Sequence, residues 1–170
     1  ENMKNEMPER FFMEGVSEQH IVGMAAGLAM EGFIPYVNTI ATFLSRRCFE
    51  QVAMDLCLQD LPVRLISNGA GGVYAPLGPT HLAVEDIAIM RALPNMTIVC
   101  PCDADEMNRF MMKTLDWPHP IYIRLAKGGD KIQGVKAQTW AETTMLEWYA
   151  ENYKQYIGNS SEFRRLFLKE

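Results

Sequence analysis

A carboxylate, an amide and an imidazole stand side by side in this sequence, at Glu18, Gln19 and His20. Carboxylates and imidazoles are the side chains that most often exchange protons in enzymes. These three residues precede a nearly uncharged segment, residues 21–30, whose alanines and leucine favour a helix. Two glycines of this segment, four residues apart, share one face where a backbone or a flat ligand could approach. A glutamate at this point is either a paired, functional carboxylate or a plain helix-start carboxylate favoured by the helix dipole.

The elements around this segment alternate between helix and strand. The first helix should run from Ser17, as its N-cap, to about residue 31. Further helices are predicted over 43–59, 82–93 and 104–115, and strands over 10–13, 34–40, 61–67, 96–100 and 121–125. This alternation predicts an α/β fold, a three-layer domain with a mainly parallel sheet flanked by helices.

Ligands of parallel sheets bind beyond the carboxyl ends of the strands. The residues after Ser67, Pro101 and Arg124 should therefore lie at the ligand-binding edge. The first of these segments, residues 68–81, holds four glycines and two prolines and shows no hydrophobic periodicity. An irregular loop of this length in a small domain is usually functional.

Composition narrows the classes of function. The 170 residues carry a net charge of -5 without a basic run, so nothing indicates nucleic-acid binding. No apolar stretch reaches the roughly 18 residues of a membrane span. The four cysteines lack the paired spacing of a zinc site, so we expect no metal ligands in this chain. Unpaired thiols of this kind are typical of a reduced, cytoplasmic protein.

Several motifs resemble the pyrimidine-binding domain of the transketolase family, which includes transketolase and 1-deoxyxylulose-5-phosphate synthase. They are Phe12-Met13-Glu14-Gly15-Val16-Ser17-Glu18-Gln19-His20, Gly23 to Ala29, Ala41 to Arg47, Gly78-Pro79-Thr80-His81, Ala92 to Met96 and Tyr122-Ile123-Arg124. The resemblance implies a domain over residues 8–130, short at its N-terminal end, of the thiamine-diphosphate-binding pyrimidine-domain fold. Residues 131–170 are then an appended tail, which we predict to be helical.

The resemblance also implies a cofactor, thiamine diphosphate, held between two domains. A partner domain or subunit outside this chain would bind the diphosphate and its Mg²⁺, and the chain would receive the aminopyrimidine across the interface of a homo- or hetero-oligomer. Glu18 matches the catalytic glutamate that hydrogen-bonds N1′ of the ring. A carboxylate suits this role because sharing a proton with N1′ favours the imino form of the 4′-amino group, which can then deprotonate the thiazolium ring.

Four more residues match family positions. By resemblance Phe43 stacks on the pyrimidine, Arg46 contacts the cofactor's surroundings, His81 is catalytic beside the reacting oxygen of the substrate, and Arg124 binds the substrate phosphate. A planar, permanently charged guanidinium is well suited to phosphate.

The implied function is the pyrimidine side of a transketolase-like transferase, which moves a ketol unit between sugar phosphates together with its partner. Two departures favour an alternative, a non-catalytic truncated relative that acts as a binding or assembly module. Leu77 stands where the family often has an aspartate, and the diphosphate-binding Gly-Asp-Gly motif is absent from the sequence. A third possibility is the β-type subunit of a 2-oxo-acid dehydrogenase, whose pyrimidine domain is similar.

Overall fold

The chain is built on a four-stranded parallel sheet. A computed structural model describes residues 2–126. Strands β1 (Tyr36–Ile40), β2 (Arg64–Asn68), β3 (Thr97–Val99) and β4 (Ile121–Arg124) are arranged in the order β1-β2-β4-β3, and every neighbouring pair is parallel. The predicted α/β fold, a parallel sheet flanked by helices, is confirmed. The predicted tail, residues 131–170, lies outside the described residues.

Within residues 2–126, five helical elements accompany the sheet, apart from two short 3₁₀ turns. They are α1 (Asn2–Glu6), α2 (Glu18–Met30), α3 (the successive segments Phe43–Arg47, Phe49–Gln51 and Val52–Cys57), α4 (Asp86–Arg91) and α5 (Ala104–Lys113). Asp103 caps α5 as its type predicts, because its carboxylate accepts a hydrogen bond from the N–H of Glu106 at 2.8 Å. Within residues 2–126 no helix combines the length and apolar character that crossing a membrane would take.

The hydrophobic core lies where α2 and α3 cover the sheet. The small side chains of α2 let its backbone come close to the strands, and β4 is buried along its first three residues, as expected of a parallel strand. The core residues of these elements include Val22, Ala25, Ala26, Ala29, Leu44, Val52, Leu56, Leu65 and Tyr122. The two glycines of α2 were expected to form a face where another group comes close. No group does so at Gly27, since nothing lies within 4 Å of a Cβ built at this residue.

The helix predicted over 43–59 forms, but with wide turns. The N–H of Leu58 donates to the carbonyl of Ala53 at 2.9 Å, and the N–H of Leu61 donates to that of Leu56 at 3.0 Å. These are i to i+5 hydrogen bonds, which define π-helical turns and often occur near functional sites. Each wide turn rotates the following side chains away from the direction that a regular helix would give them.

Three local predictions are wrong in whole or in part. The strand over 10–13 does not form: Pro8–Arg10 makes a single 3₁₀ turn and the next residues lie outside the sheet, because apolar residues make a strand only where a partner strand is available. Ser17 occupies the N-cap position of α2 as predicted, but its hydroxyl does not cap the helix, since it donates instead to the carbonyl of Glu14 at 2.7 Å. The helix predicted over 82–93 is restricted to Asp86–Arg91.

A buried arginine holds the connection before β4. Arg64, on the first position of β2, has no exposed surface, and its guanidinium donates to the backbone carbonyls of Thr114, Trp117 and His119. Burial lowers the pKa of Arg64 from its usual value. The side chain thus supplies donors to three carbonyls of a turn that has no strand or helix to satisfy them.

Candidate cofactor site

The carboxyl ends of the strands form one edge of the sheet, and the predicted site residues gather there. Ile40 at the end of β1 pairs with Asn68 at the end of β2, and Ser67 pairs with Arg124. The chain segments that leave β1, β2 and β4 therefore start at neighbouring positions. This register is what brings α3 and the loop of residues 68–81 to the same edge.

Glu18 is the first residue of α2 and is buried, with 6% of its surface exposed. Its Oε2 lies 2.7 Å from Nη1 of Arg47, whose side chain is 42% exposed. Gln19 adds a second link between the two helices, because its Nε2 donates to the backbone carbonyl of Arg47 at 3.1 Å. Glu18 is therefore a buried carboxylate paired with a cation from α3, and not simply a solvated residue at a helix start.

Phe43 begins α3 and contacts two of the groups around it. The Cζ atom of Arg47 lies 3.9 Å from the centroid of its ring, in the geometry of a cation–π contact. The imidazole of His81 approaches the same ring edge-on, with 5.2 Å between centroids. The structure thus brings Glu18, Phe43 and His81 together through a chain of contacts, in which Arg47 joins Glu18 to Phe43 and Phe43 contacts His81.

Arg46 connects the end of the long loop to α3 through hydrogen bonds. Its guanidinium donates to the carbonyls of Pro79 at 2.7 Å and Leu82 at 2.8 Å, and to the hydroxyl of Thr42. Its Nε also lies 3.0 Å from a carboxylate oxygen of Glu85. Arg46 is therefore beside the segment that carries His81, in a network of its own.

The long loop of residues 68–81 contains local backbone structure. Gly71 forms a two-residue antiparallel bridge with Ala83, and a 3₁₀ turn spans Ala75–Leu77. The ring of Tyr74 lies directly against Gly69 and contacts His81 edge-on, with 6.4 Å between centroids. The loop therefore packs against itself, with Tyr74 in contact with both Gly69 and His81.

Replacing Gly69 with alanine should destabilise the domain by about 2 kcal/mol. Gly69 has a φ of +65°, and a Cβ at this position would lie 2.0 Å from a ring carbon of Tyr74. Urea denaturation measures the loss. Gly27→Ala is the matched control, because nothing lies within 4 Å of its Cβ and helix propensity favours alanine there. Equal stability of the two variants would contradict the close contact.

Arg124 binds a buried carboxylate at the end of β4. Its Nε donates to Oδ2 of Asp86 at 2.9 Å, and the hydroxyl of Tyr122 donates to the same oxygen at 2.9 Å. Asp86 has no exposed surface, whereas the Arg124 side chain is 25% exposed. Burial, together with the charge of Asp86, raises the pKa of Tyr122, which keeps its hydroxyl a donor. Asp86 thus orients Arg124 from the protein side.

The four cysteines are free thiols, and the one nearest in sequence to Arg47 has a raised pKa. All four are unpaired, Cys48 and Cys57 buried and Cys100 and Cys102 exposed. Burial, followed by the charge of Glu18, raises the pKa of Cys48 to about 11, although Arg47 opposes the shift. Across residues 2–126 no group of three or more histidine, cysteine or acidic side chains could hold a metal ion.

Sequence reasoning missed Arg47 and Asp86. Of the adjacent arginines it selected Arg46, although Arg47 is the one that contacts both Glu18 and Phe43. The spacing of four residues between Phe43 and Arg47 was the available signal, since such pairs share a helix face. Nothing in the sequence marked Asp86, whose burial depends on how α4 packs against the sheet.

Comparisons with known proteins agree with the fold. Residues 1–129 match the family model described as the transketolase pyrimidine-binding domain. The 1-deoxy-D-xylulose-5-phosphate synthase of Dictyoglomus turgidum is 42% identical over 121 residues, which are 71% of this chain and 19% of that protein. The corresponding synthase 1 of Geobacter sulfurreducens is 44% identical over 123 residues, with 72% and 19% covered. The chain thus spans about a fifth of the length of these relatives.

Solved structures give the same result. A split-gene transketolase, described as an "inactive beta4 tetramer", superimposes with a TM-score of 0.68 at 38% identity. The match covers 76% of this chain and 41% of that one. The transketolase of Campylobacter jejuni has a TM-score of 0.60 at 23% identity, with 66% and 18% covered, a likeness of fold alone. Because the family model covers most of the sequence, the chain belongs to the transketolase pyrimidine-binding domain family.

Proposed function

We propose that this domain provides the pyrimidine side of a thiamine-diphosphate site that transfers a ketol unit between sugar phosphates. The observation that carries the proposal is the contact chain that joins Glu18, through Arg47, to Phe43 and His81 at the ligand-binding edge of the sheet. A buried carboxylate and an aromatic face that one flat group contacts together, with an imidazole at the edge of that ring, are the groups that the family's chemistry needs.

The described side chains fit the aminopyrimidine of the cofactor. Glu18 accepts a hydrogen bond from a planar donor, and Phe43 accepts a planar group at 3.9 Å from its ring centroid. In the proposed complex Glu18 holds a proton at N1′ and Phe43 stacks on the ring, while Arg46 keeps the His81 segment in place. The cofactor, when bound, supplies the nucleophilic carbon that carries the ketol unit.

Two residues would act on the substrate. The ring of His81 lies edge-on to that of Phe43, which places it next to the proposed pyrimidine position. His81 would exchange a proton with the reacting oxygen of the substrate there. Arg124 would bind the phosphate through its terminal nitrogens, because Asp86 holds its Nε from behind. A guanidinium that is anchored on one side loses less side-chain freedom when it binds an anion.

The diphosphate and its Mg²⁺ are assigned to a partner domain or subunit. The chain spans only part of the relatives that it matches, and the split-gene relative supports a division of the enzyme into subunits. The tetramer of that relative is described as inactive, which favours a requirement for the complementary subunit here as well. We infer a cytoplasmic oligomer with such a partner.

One observation favours the non-catalytic alternative. Leu77, at the position where the family often has an aspartate, is 58% exposed on the loop that carries His81. Under the alternative the domain would assemble with the same partner and bind the cofactor without turnover. Measuring ketol transfer in the assembled complex separates the two functions.

The isolated chain should bind thiamine diphosphate only weakly, with a dissociation constant above about 10 μM. Its sequence lacks the Gly-Asp-Gly motif that would bind the diphosphate and Mg²⁺, so we expect the pyrimidine alone to provide the affinity. Calorimetry with Mg²⁺ present measures this, first on the chain and then after a subunit carrying a Gly-Asp-Gly motif is added. Tight Mg²⁺-dependent binding by the chain alone would contradict the division of the site.

Replacing Phe43 with alanine should weaken cofactor binding in the assembled complex about tenfold, since a stacking contact contributes about 1 kcal/mol or more. Turnover at saturating cofactor should change much less. The half-buried Phe110 on α5 gives the matched control, Phe110→Ala. If Phe43→Ala keeps wild-type affinity in calorimetry, Phe43 is a core residue only.

A further inference from the structure

Arg47 makes the two contacts that the proposed function gives to the aminopyrimidine. The edge of its guanidinium reaches the carboxylate of Glu18 at 2.7 Å, and its Cζ lies 3.9 Å from the ring centroid of Phe43. A guanidinium is flat, carries N–H donors along its edge and stacks readily on aromatic rings. The aminopyrimidine shares these properties.

We propose that Arg47 is an internal competitor of the cofactor, occupying the aminopyrimidine position until the cofactor displaces it. This inference rests on the proposed function, because it takes Glu18 and Phe43 as the pyrimidine-binding pair. It goes beyond that function by giving the free domain a closed site, whose opening is part of cofactor binding. The chain thereby keeps a buried carboxylate paired when no ring is present.

The displacement needs only a side-chain movement. The backbone carbonyl of Arg47 is held by Gln19 at 3.1 Å, so the residue itself stays fixed to α2. Its side chain is 42% exposed and can therefore leave the ring of Phe43 for solvent. The wide helical turn at the start of α3 is what directs this side chain toward Glu18.

The competition should reduce the apparent affinity for the ring. A ligand that binds only the open site has its affinity lowered by the fraction of molecules that are open. A half-exposed ion pair with a cation–π contact is modest in strength, so we expect the penalty to be about tenfold, equivalent to about 1.4 kcal/mol. Removing the Arg47 side chain should restore that affinity.

The test uses the full chain and a fragment, 4-amino-2,5-dimethylpyrimidine, titrated by NMR. Arg47→Ala is expected to bind the fragment about tenfold more tightly than the wild type does. The dissociation constant of the variant should be on the order of 10 mM, since the ligand is so small. Resonances of His81 should shift in the titration. Arg109→Ala, which removes an exposed arginine from α5, should behave like the wild type.

Two controls make the result decisive. Adding Phe43→Ala to Arg47→Ala should abolish the gain, because the stacking face is lost. Arg47→Gln, which keeps part of the side chain, covers the case in which Arg47→Ala unfolds, and it should also bind the fragment more tightly than the wild type. Equal or weaker binding by the Arg47 variants, or no binding by any variant, overturns the competition.

The outcome is separable from that of the proposed function. Fragment binding needs no partner and no turnover, whereas the proposed function is tested by ketol transfer in the assembled complex. An active complex with unchanged fragment affinity in Arg47→Ala would reject the competitor and keep the function. Tighter fragment binding by the Arg47→Ala chain, together with an assembled wild-type complex that shows no turnover, would support the competitor and favour the non-catalytic alternative.

Discussion

Glu18→Gln should lower the ketol-transfer rate of the assembled complex by about 100-fold or more, the usual scale for a lost acid–base group. Glutamine keeps the shape and the reach of the side chain, but it cannot share a proton with N1′ of the cofactor. Cofactor affinity should fall much less, since the stacking on Phe43 remains. Turnover at saturating cofactor and calorimetry, measured on the same preparation, separate the two effects.

The matched control is Glu31→Gln, which removes a carboxylate from the other end of the same helix. Glu31 follows the last residue of α2 and is exposed, so its substitution should leave turnover and affinity unchanged. A Glu18→Gln complex with near wild-type turnover would show that Glu18 is a structural partner of Arg47 and has no part in proton transfer.

Arg64→Met should lower the free energy of unfolding by about 3 kcal/mol or more. Methionine fills much of the same volume but leaves the carbonyls of Thr114, Trp117 and His119 without their donor. These groups are in the turn before β4, where backbone hydrogen bonds of a helix or sheet do not replace the lost ones. Urea denaturation of the full chain measures the change.

Arg91→Met provides the comparison, because Arg91 lies exposed on the last turn of α4. Its substitution removes the same charge and should change the free energy of unfolding by less than about 0.5 kcal/mol. Similar stabilities for the two variants would mean that water replaces the guanidinium of Arg64, and that the turn is not held by this side chain.

The fold could be predicted because its signals are local and repeated. The small residues of α2, the apolar strands and the capping aspartate of α5 each favour the element that forms. The strand over 10–13 failed because pairing is decided by neighbours in space, and Phe12 and Met13 have none in the sheet. The bounds of α3 were also predictable, but its wide turns were not, since they arise from packing.

The site could be predicted only in part. The match to family motifs located Glu18, Phe43 and His81, which the structure brings together. It could not choose between two adjacent arginines, because the direction of Arg47 depends on the turn that precedes it. Arg64 escaped notice for a related reason: a charged residue at a strand start is usually exposed, and its burial depends on carbonyls 50 residues away in the chain.

The strand order has a consequence for the synthesis of the protein. β4 is the last strand within residues 2–126, yet it lies between β2 and β3, and β2 otherwise pairs only with β1 in this sheet. Until residues 121–124 have left the ribosome, the inner edges of β2 and β3 have no partner and present unpaired backbone groups. A nascent chain of this domain is therefore expected to remain open to chaperones, and to aggregation, until almost all of its described residues have been translated.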